Sequence, residues 1–91
     1  MWTIHKFPLL LHGTQILQFP PDAKMLSVAE QRDTLCLWAL LDTTAPTVPW
    51  IVEIAGTGQP HLRVDPAAFV GTVQLGDHVW HVFVTRLRGV A

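Results

Sequence analysis

The sequence predicts an all-β domain, a small antiparallel barrel or two-layer sandwich of six to seven short strands. Seven prolines and six glycines separate short runs rich in β-branched and aromatic residues, which is typical of such folds. Leu35–Leu41 contains no polar residue, whereas a strand with one face in water alternates apolar and polar residues. Both faces of this strand therefore need cover, which a closed barrel, a second sheet or a second subunit would supply.

The four strands predicted in the first half of the chain are Trp2–Phe7, Thr14–Phe19, Lys24–Gln31 and Thr34–Asp42. Pro20–Pro21 stops the second strand, because proline cannot donate a hydrogen bond to a sheet. Asp22–Ala23 follows as a turn, and Arg32–Asp33 is the predicted turn of a hairpin. Short connections of this kind favour antiparallel neighbours.

The three strands predicted in the second half are Trp50–Ala55, Phe69–Leu75 and His78–Leu87. The prolines of Thr43–Pro49 place that stretch in a loop or at a sheet edge. Asp65 is predicted to cap one short helical turn. Gly71 predicts a bulge or a close contact within its strand, and Gly76–Asp77 matches a two-residue type II′ hairpin turn.

The totals indicate one domain, residues 1–91, with an unusually uncharged surface. The composition is 49% hydrophobic and 14% charged, against about 25% charged in average proteins. The charged residues are too few to cover the surface of a monomer, so part of its apolar surface would remain exposed to solvent unless another subunit buried it. We therefore expect a homo-oligomer.

Charge and hydropathy exclude several classes of partner. The net charge is −1 and no cluster of Lys and Arg exists, so binding to nucleic acid through phosphate contacts is not expected. No apolar stretch reaches the ~20 residues of a membrane-spanning helix, and the N-terminus does not resemble a signal peptide. We expect a cytoplasmic protein with no membrane partner.

No catalytic residue, metal site or cofactor is predicted. His78 and His81 are three positions apart on one strand, so they point to opposite faces, whereas a zinc ion would need them together. Ser27 lacks the Gly-x-Ser-x-Gly elbow of a nucleophile. Cys36 lies in an apolar strand and is expected to be buried. The sequence therefore predicts a protein that is not an enzyme.

One loop is the candidate ligand-binding site, formed by Gly56, Thr57, Gly58, Gln59 and His61. Backbone N–H groups in glycine-containing loops bind anions, so an anion or a nucleotide is the candidate ligand. The loop lacks the lysine and the spacing of a Walker loop, and no helix follows it. A simple turn, in which glycine supplies a positive φ, is the structural alternative.

The four tryptophans fall into two groups. Trp38 and Trp80 lie within apolar strands, which predicts a core position. Trp2 and Trp50 lie near a chain end and a proline-containing loop, and aromatic residues are enriched at interfaces. Trp2 and Trp50 are therefore the candidate interface residues, with a core position as the alternative and the better single assignment for each.

A family resemblance extends over most of the chain, in the segments Thr3–Phe7, Ala23–Val28, Cys36–Leu40, Gly56–Pro60 and Phe69–Thr72. The most specific of these are the Cys-Leu-Trp-Ala-Leu run and the Gly-Thr-Gly turn. Together they resemble a family of small uncharacterised proteins encoded by phages and prophages. The turn of that family often has His where this chain has Gln59, which argues against a catalytic role there.

The resemblance implies a bacterial host cell, a viral or prophage origin and an accessory role, with no catalytic residues to carry over. The leading hypothesis is a non-enzymatic accessory protein that binds a host or viral protein. The second is a small-ligand binder with a site at the Gly56–His61 loop, near a subunit boundary. The third is a hydrolase using histidines and carboxylates, for which the sequence shows no arrangement.

Overall fold

The strands account for most of the computed structural model, which describes residues 1–11, 13–60 and 62–87. They are β1 (Trp2–Pro8), β2 (Thr14–Phe19), β3 (Lys24–Gln31), β4 (Thr34–Asp42), β5 (Val48–Gly56), β6 (Phe69–Leu75) and β7 (His78–Arg86). A single 3-10 turn, Pro66–Ala68, precedes β6. The all-β prediction is confirmed.

The strands form two antiparallel sheets. Sheet A has the order β1-β4-β3, and sheet B has the order β2-β5-β7-β6. Neither sheet closes on itself, so the fold is a two-layer sandwich rather than the barrel that the sequence left open. β3 lies against β6 at one side of the sandwich, where the two layers come closest.

The centre of sheet A is β4, the strand that the sequence predicts to need cover on both faces. Its inward residues are all buried: Leu35, Leu37, Ala39 and Leu41. On the other face Cys36 is buried, whereas Trp38 and Leu40 are only half-buried. Sheet B therefore covers the inner face completely, and the outer face is covered only at Cys36.

Aromatic rings join the two sheets at the β1–β2 side of the sandwich. Phe19 is fully buried and packs edge-to-face against Phe7 of sheet A, with 4.8 Å between ring centroids, and against Trp50, at 5.8 Å. Such pairs contribute about 0.5–1.5 kcal/mol beyond the area they bury. The contact fixes β1 over β2 and completes the core.

The hairpin turns follow from backbone conformation. Arg32 and Asp33 both have positive φ, 53° and 64°, which defines a type I′ turn; Glu30 Oε2 accepts a hydrogen bond from the Asp33 N–H at 2.7 Å. In the second turn Gly76 has φ 62° and Asp77 does not have positive φ. That pattern is type II′, as predicted for Gly76–Asp77.

Gly71 meets both expectations for a glycine inside a strand. The pairing of β6 with β7 shifts register between Phe69 and Gly71. A Cβ at position 71 would lie 2.8 Å from Cγ2 of Val28 on β3. The bulge and the close approach of the two sheets therefore both depend on this glycine.

Two further expectations concern proline and a helical cap. β5 begins at Val48, so Pro49 lies in a central strand and not in the predicted loop or sheet edge. Its carbonyl accepts from the Leu87 N–H at 3.0 Å, and its missing N–H would face the same residue, past the last residue of β7, where the ladder ends. Asp65 caps Pro66–Ala68, accepting from the Ala67 N–H at 2.9 Å, as predicted. Within the described residues no helix is long and apolar enough to cross a membrane.

Candidate functional site

One face of sheet A points away from the core and is not covered by the described chain. Its apolar residues are Trp2 and Ile4 on β1 with Trp38 and Leu40 on β4, and we call this set the apolar face. Ile4 lies opposite Leu40 in the β1–β4 register. Trp2 is 51% exposed and Ile4 is 55% exposed, so both rest largely in solvent.

The apolar face arises from the alternation of side chains along β1. Thr3, His5 and Phe7 share one side of a strand, and Trp2 and Ile4 share the other. Because Phe7 packs into the core against Phe19, the side that carries Trp2 and Ile4 must face outward. The chain thus places two large apolar side chains, Trp2 and Ile4, on the solvent side of sheet A.

The charged groups on this face are lysines. Lys6 lies opposite Trp38, and Lys24 lies opposite Leu40. Lys6 Nζ donates to Gln31 Oε1 at 2.6 Å, an uncharged partner that leaves the positive charge uncompensated. In register, this hydrogen bond spans β4 at the level of Cys36. The apolar face therefore carries two lysines beside its apolar centre.

The one carboxylate at the border of the apolar face is Asp42, which lies opposite Trp2. Its pKa is lowered to about 2, first by the hydrogen bond from the Met1 α-amino group at 2.8 Å and then by the backbone and hydroxyl of Thr44. The Met1–Asp42 contact is the single ion pair among the described residues. Asp42 is thus occupied within the fold.

The two candidate interface tryptophans have opposite environments. Trp2 is exposed on the apolar face, which agrees with the interface prediction without testing it. Trp50 is 8% exposed and lies in the core against Phe19. An interface role for Trp50 is therefore corrected to the core alternative, because the inward side of β5 faces sheet A.

The predicted ligand loop is a closed turn. The Gln59 N–H donates to the Gly56 carbonyl at 3.1 Å, and the Gly56 N–H donates to Gln59 Oε1 at 3.2 Å. Gly58 has φ +84° and faces open space. The Gln59 amide therefore stabilises the turn, and His61 lies outside the described residues.

A cavity of about 390 Å³ lies beside this turn, lined by Gly56, Thr57, Asp77, His78, Val79 and Trp80. A Cβ added at Gly56 would lie 3.6 Å from Cζ3 of Trp80, so the indole ring packs over the glycine. The His78 and Trp80 ring centroids are 5.7 Å apart. The cavity thus combines aromatic rings with one carboxylate and one hydroxyl.

His81 holds two threonines on the outer face of sheet B. Its Nε2 lies 2.8 Å from Thr57 Oγ1, and its Nδ1 lies 2.9 Å from Thr72 Oγ1. In the neutral ring the protonated nitrogen donates to one hydroxyl and the other nitrogen accepts. His78 pairs with Leu75 and points to the opposite face, as predicted. Both ring nitrogens of His81 therefore take part in hydrogen bonds within the fold.

No group of three or more His, Cys, Asp or Glu side chains suited to a metal ion exists in residues 1–11, 13–60 and 62–87. Two carboxylates of the described residues, those of Glu53 and Glu30, form hydrogen bonds within the fold. Glu53 accepts from the Thr14 hydroxyl with both oxygens at 2.8 Å, and Glu30 closes the Arg32–Asp33 turn.

Two groups of site residues were not predicted from the sequence. Asp77, His78 and Trp80 line the cavity because the β5–β7 register places Gly56 opposite Trp80. Ile4 and Leu40 belong to the apolar face because β1 pairs with β4. Each pairing joins strands that are not consecutive, so local pattern gives no signal for it.

The two antiparallel sheets define the class of protein as an all-β sandwich domain. The chain belongs to a family described as a domain of unknown function (DUF7352), which matches residues 1–90. No curated protein and no solved structure gives a significant match. The family confirms an uncharacterised domain, and the phage or prophage origin stays a prediction.

Proposed function

We propose that this protein is a non-enzymatic accessory protein that binds another protein through the apolar face of sheet A. The observation that carries the proposal is the exposure of Trp2 and Ile4 beside the half-buried Trp38 and Leu40. Contiguous exposed apolar patches on small proteins mark interaction surfaces, and Trp is among the residues that contribute most at interfaces.

The charge of this face defines the chemistry of the partner. Lys6 and Lys24 lie in register with Trp38 and Leu40, and the nearby Asp42 carboxylate is held by the α-amino group and Thr44. A partner with an apolar centre and an acidic border complements this arrangement. The sequence resemblance makes a host or viral protein in the cytoplasm of a bacterial cell the proposed partner.

The test is site-specific photocrosslinking in bacterial cells that express the protein. A photoreactive amino acid replaces Ile4 on the apolar face, and the control replaces Gln74, which is exposed on the outer side of sheet B. We expect a heterologous protein adduct from position 4 and none from position 74. Lys24→Glu should lower the yield of that adduct several-fold by reversing one charge.

Equal adducts from positions 4 and 74, or adducts only between copies of this chain, would contradict the proposal. The variant Ile4→Ser tests the apolar face without disturbing the fold. It should abolish the adduct of a crosslinker placed at Trp2 and leave the free energy of unfolding nearly unchanged, because a side chain so exposed contributes little to the monomer.

A second candidate function, small-ligand binding, is favoured by one observation: Gly56 and Thr57 of the predicted loop line the 390 Å³ cavity. The cavity contains the Asp77 carboxylate and no Lys or Arg among its lining residues. Aromatic rings beside a carboxylate favour a planar cation over an anion or nucleotide. The site of this alternative is the cavity wall, with the Gly58 tip facing away into open space.

Two probes of opposite charge distinguish the ligand classes. Benzamidine, a planar aromatic cation, should shift the amide resonances of Thr57 and Val79 in a ¹H–¹⁵N spectrum, and adenosine monophosphate should not. Gly56→Val, which fills space next to Trp80, should remove the shifts. Shifts with adenosine monophosphate alone would favour the anion-binding form, and no shift with either probe would exclude small-ligand binding of these two kinds.

A further inference from the structure

We propose that two copies of this chain pair through β2, edge to edge and antiparallel, so that sheet B continues across a twofold axis at Ile16. The proposal concerns the edge of sheet B and is independent of the apolar face of sheet A. It rests on which backbone groups β2 leaves free, on how the other edges are protected, and on the self-complementary sequence of the strand.

The hydrogen bonds of β5 show which groups of β2 are free. The Ile54 N–H donates to the Gly13 carbonyl at 2.9 Å. In the β2–β5 register, this contact makes alternate residues from Gly13 onward the ones that bond to β5. Thr14, Ile16 and Gln18 therefore direct their N–H and C=O groups toward the open edge.

The β7 side of β5 gives an independent check. The Leu87 N–H donates to the Pro49 carbonyl, so the odd-numbered residues of β5 bond to β7. The even-numbered residues, Trp50 and Val52 among them, then bond to β2. Both observations show that the odd-numbered residues of β2 bond to β5 and the even-numbered residues face the open edge.

The other three edge strands carry features that oppose pairing with another chain. β3 and β6 each contain a register shift, and β1 carries Lys6 and ends at Pro8. Bulges, lysines and prolines are the devices by which natural sheets protect their edges. Thr14–Phe19 has no charge, no proline, no glycine and no register shift, so this edge alone is unprotected among the described strands.

The sequence of β2 complements itself in one antiparallel register. With the axis at Ile16, Thr14 lies opposite Gln18 of the second copy, and Ile16 lies opposite its own equivalent. Each of these pairs exchanges two N–H···O=C bonds. The three residues share the outer face of sheet B, where a polar pair would flank the Ile16 contact on each side and no like charges would meet.

The position of Ile16 supports this register. Ile16 is 48% exposed and lies opposite Ile51 of β5, so an Ile16 from the second copy would extend an apolar row across the axis. A slip of two residues would put Ile16 against Thr14 and lose the apolar contact. β-branched pairs across antiparallel strands stabilise them by about 0.2–1 kcal/mol each.

Cysteine crosslinking tests the register. In the proposed pair the two Cα atoms at position 16 are about 5.5 Å apart, within the range of a disulfide. Those at position 18 are separated by roughly 14 Å along the strands. Under mild oxidation Ile16→Cys should give a covalent dimer, Gln18→Cys should not, and the wild type controls for the buried Cys36.

Proline tests the edge. Ile16→Pro removes an N–H that faces the open edge and leaves the ladder to β5 intact, and proline is tolerated there. Light scattering should show a dimer for the wild type and for Ile16→Thr, and at least a tenfold weaker dimer for Ile16→Pro. If Ile16→Pro does not fold, the cysteine pair still decides the outcome.

Three results would overturn the proposal. They are a wild type that stays monomeric at high concentration, equal crosslinking at positions 16 and 18, and a dimer that resists Ile16→Pro but is lost in Ile4→Ser. The last result would move self-association to the apolar face of sheet A.

Discussion

The outer faces of both sheets carry apolar side chains, but the chain covers the two faces to different extents. On sheet B, residues 62–68 lie across β5 and β7, where Val64 and Ala68 with Ile51 and Phe83 line one small cavity. Hydrogen bonds of His81 and Glu53 occupy a further part of that face, which leaves Ile16 and Phe69 exposed at its two edges. On sheet A the apolar face has no such segment over it among the described residues.

This difference shows that chain length alone does not explain the bare face. On sheet B a loop and three threonine hydroxyls contact the outer face. On the outer face of sheet A the corresponding polar contact is the Lys6–Gln31 hydrogen bond. Ile4 is 55% exposed, so burying the rest of its side chain would contribute about half of the roughly 1.5–3 kcal/mol expected for full burial of such a residue. That free energy is available to a partner, which is why the uncovered face supports a binding function.

The largest expected effect separates the two faces directly. Phe83 on sheet B packs against Phe69 with ring centroids 5.5 Å apart and is half-buried. Phe83→Ala should lower the free energy of unfolding by about 2–3 kcal/mol, below the range for fully buried Phe. Ile4→Ser on sheet A should change it by less than about 0.5 kcal/mol. Urea unfolding of both variants measures the contrast.

If Ile4→Ser destabilised the monomer as much as Phe83→Ala, the apolar face would be part of the fold and the comparison would fail. The measurement must be made at low concentration. A dimer would otherwise add its own free energy to the result.

A second prediction concerns the place where the two sheets come closest. Gly71→Ala puts a methyl group 2.8 Å from Val28 Cγ2, and the stiff valine side chain cannot rotate away freely. We expect a loss of about 1–2 kcal/mol in the free energy of unfolding.

Val28→Ala in the same background should recover part of that loss, because it removes the methyl group that the new side chain at position 71 meets. A double-mutant cycle measures the coupling. Additive effects of the two substitutions would show that the strain at position 71 lies in the backbone rather than against Val28.

A third, smaller effect tests the polar cover of sheet B. Thr57→Val removes the hydroxyl 2.8 Å from His81 Nε2 with little change in volume. We expect a loss of about 0.5–1 kcal/mol, since the freed nitrogen is partly reached by water. Thermal unfolding measures the loss, and a coupled loss in Thr72→Val would show that both threonines act through His81. No effect from either variant would mean that the loop alone covers the sheet.

The smallest effect is the pH dependence at Asp42, on the border of the bare face. The pKa of Asp42 in the folded protein is about 2, below its ordinary value of 3.8. A lowered pKa stabilises the fold above the ordinary pKa, so this stabilisation is complete above about pH 5 and falls away between about pH 4 and pH 2. Asp42→Asn should flatten the unfolding curve in that window, and an unchanged curve would contradict the assignment.

Much of the fold was predictable because its signals are local. The bounds of Lys24–Gln31, Thr34–Asp42 and Phe69–Leu75 follow from runs of strand-forming residues between turn residues, and the structure confirms them. Gly71 and the Gly76–Asp77 turn were predictable for local reasons. Position 71 has no room for a side chain, and position 76 has a positive φ that glycine adopts readily.

The site was less predictable because its parts meet through long-range pairing. Trp50 follows Pro46 and Pro49, which favour a loop or a sheet edge and make it a candidate for an interface, yet Pro49 lies in a central strand and Trp50 lies in the core. Gly56 and Trp80 come together only through the β5–β7 ladder. Local composition indicates strands and turns but does not indicate which strands are neighbours.

The hydrogen bond from Lys6 to Gln31 crosses the sheet over a buried thiol that can report local opening of sheet A. It spans β4 at Cys36, the chain's one thiol, which is buried. A thiol reagent can reach that sulfur only when this part of sheet A opens, so the rate of modification measures the opening equilibrium. Occupation of the neighbouring apolar face should slow that rate, which makes thiol labelling a way to detect a bound partner without naming it first.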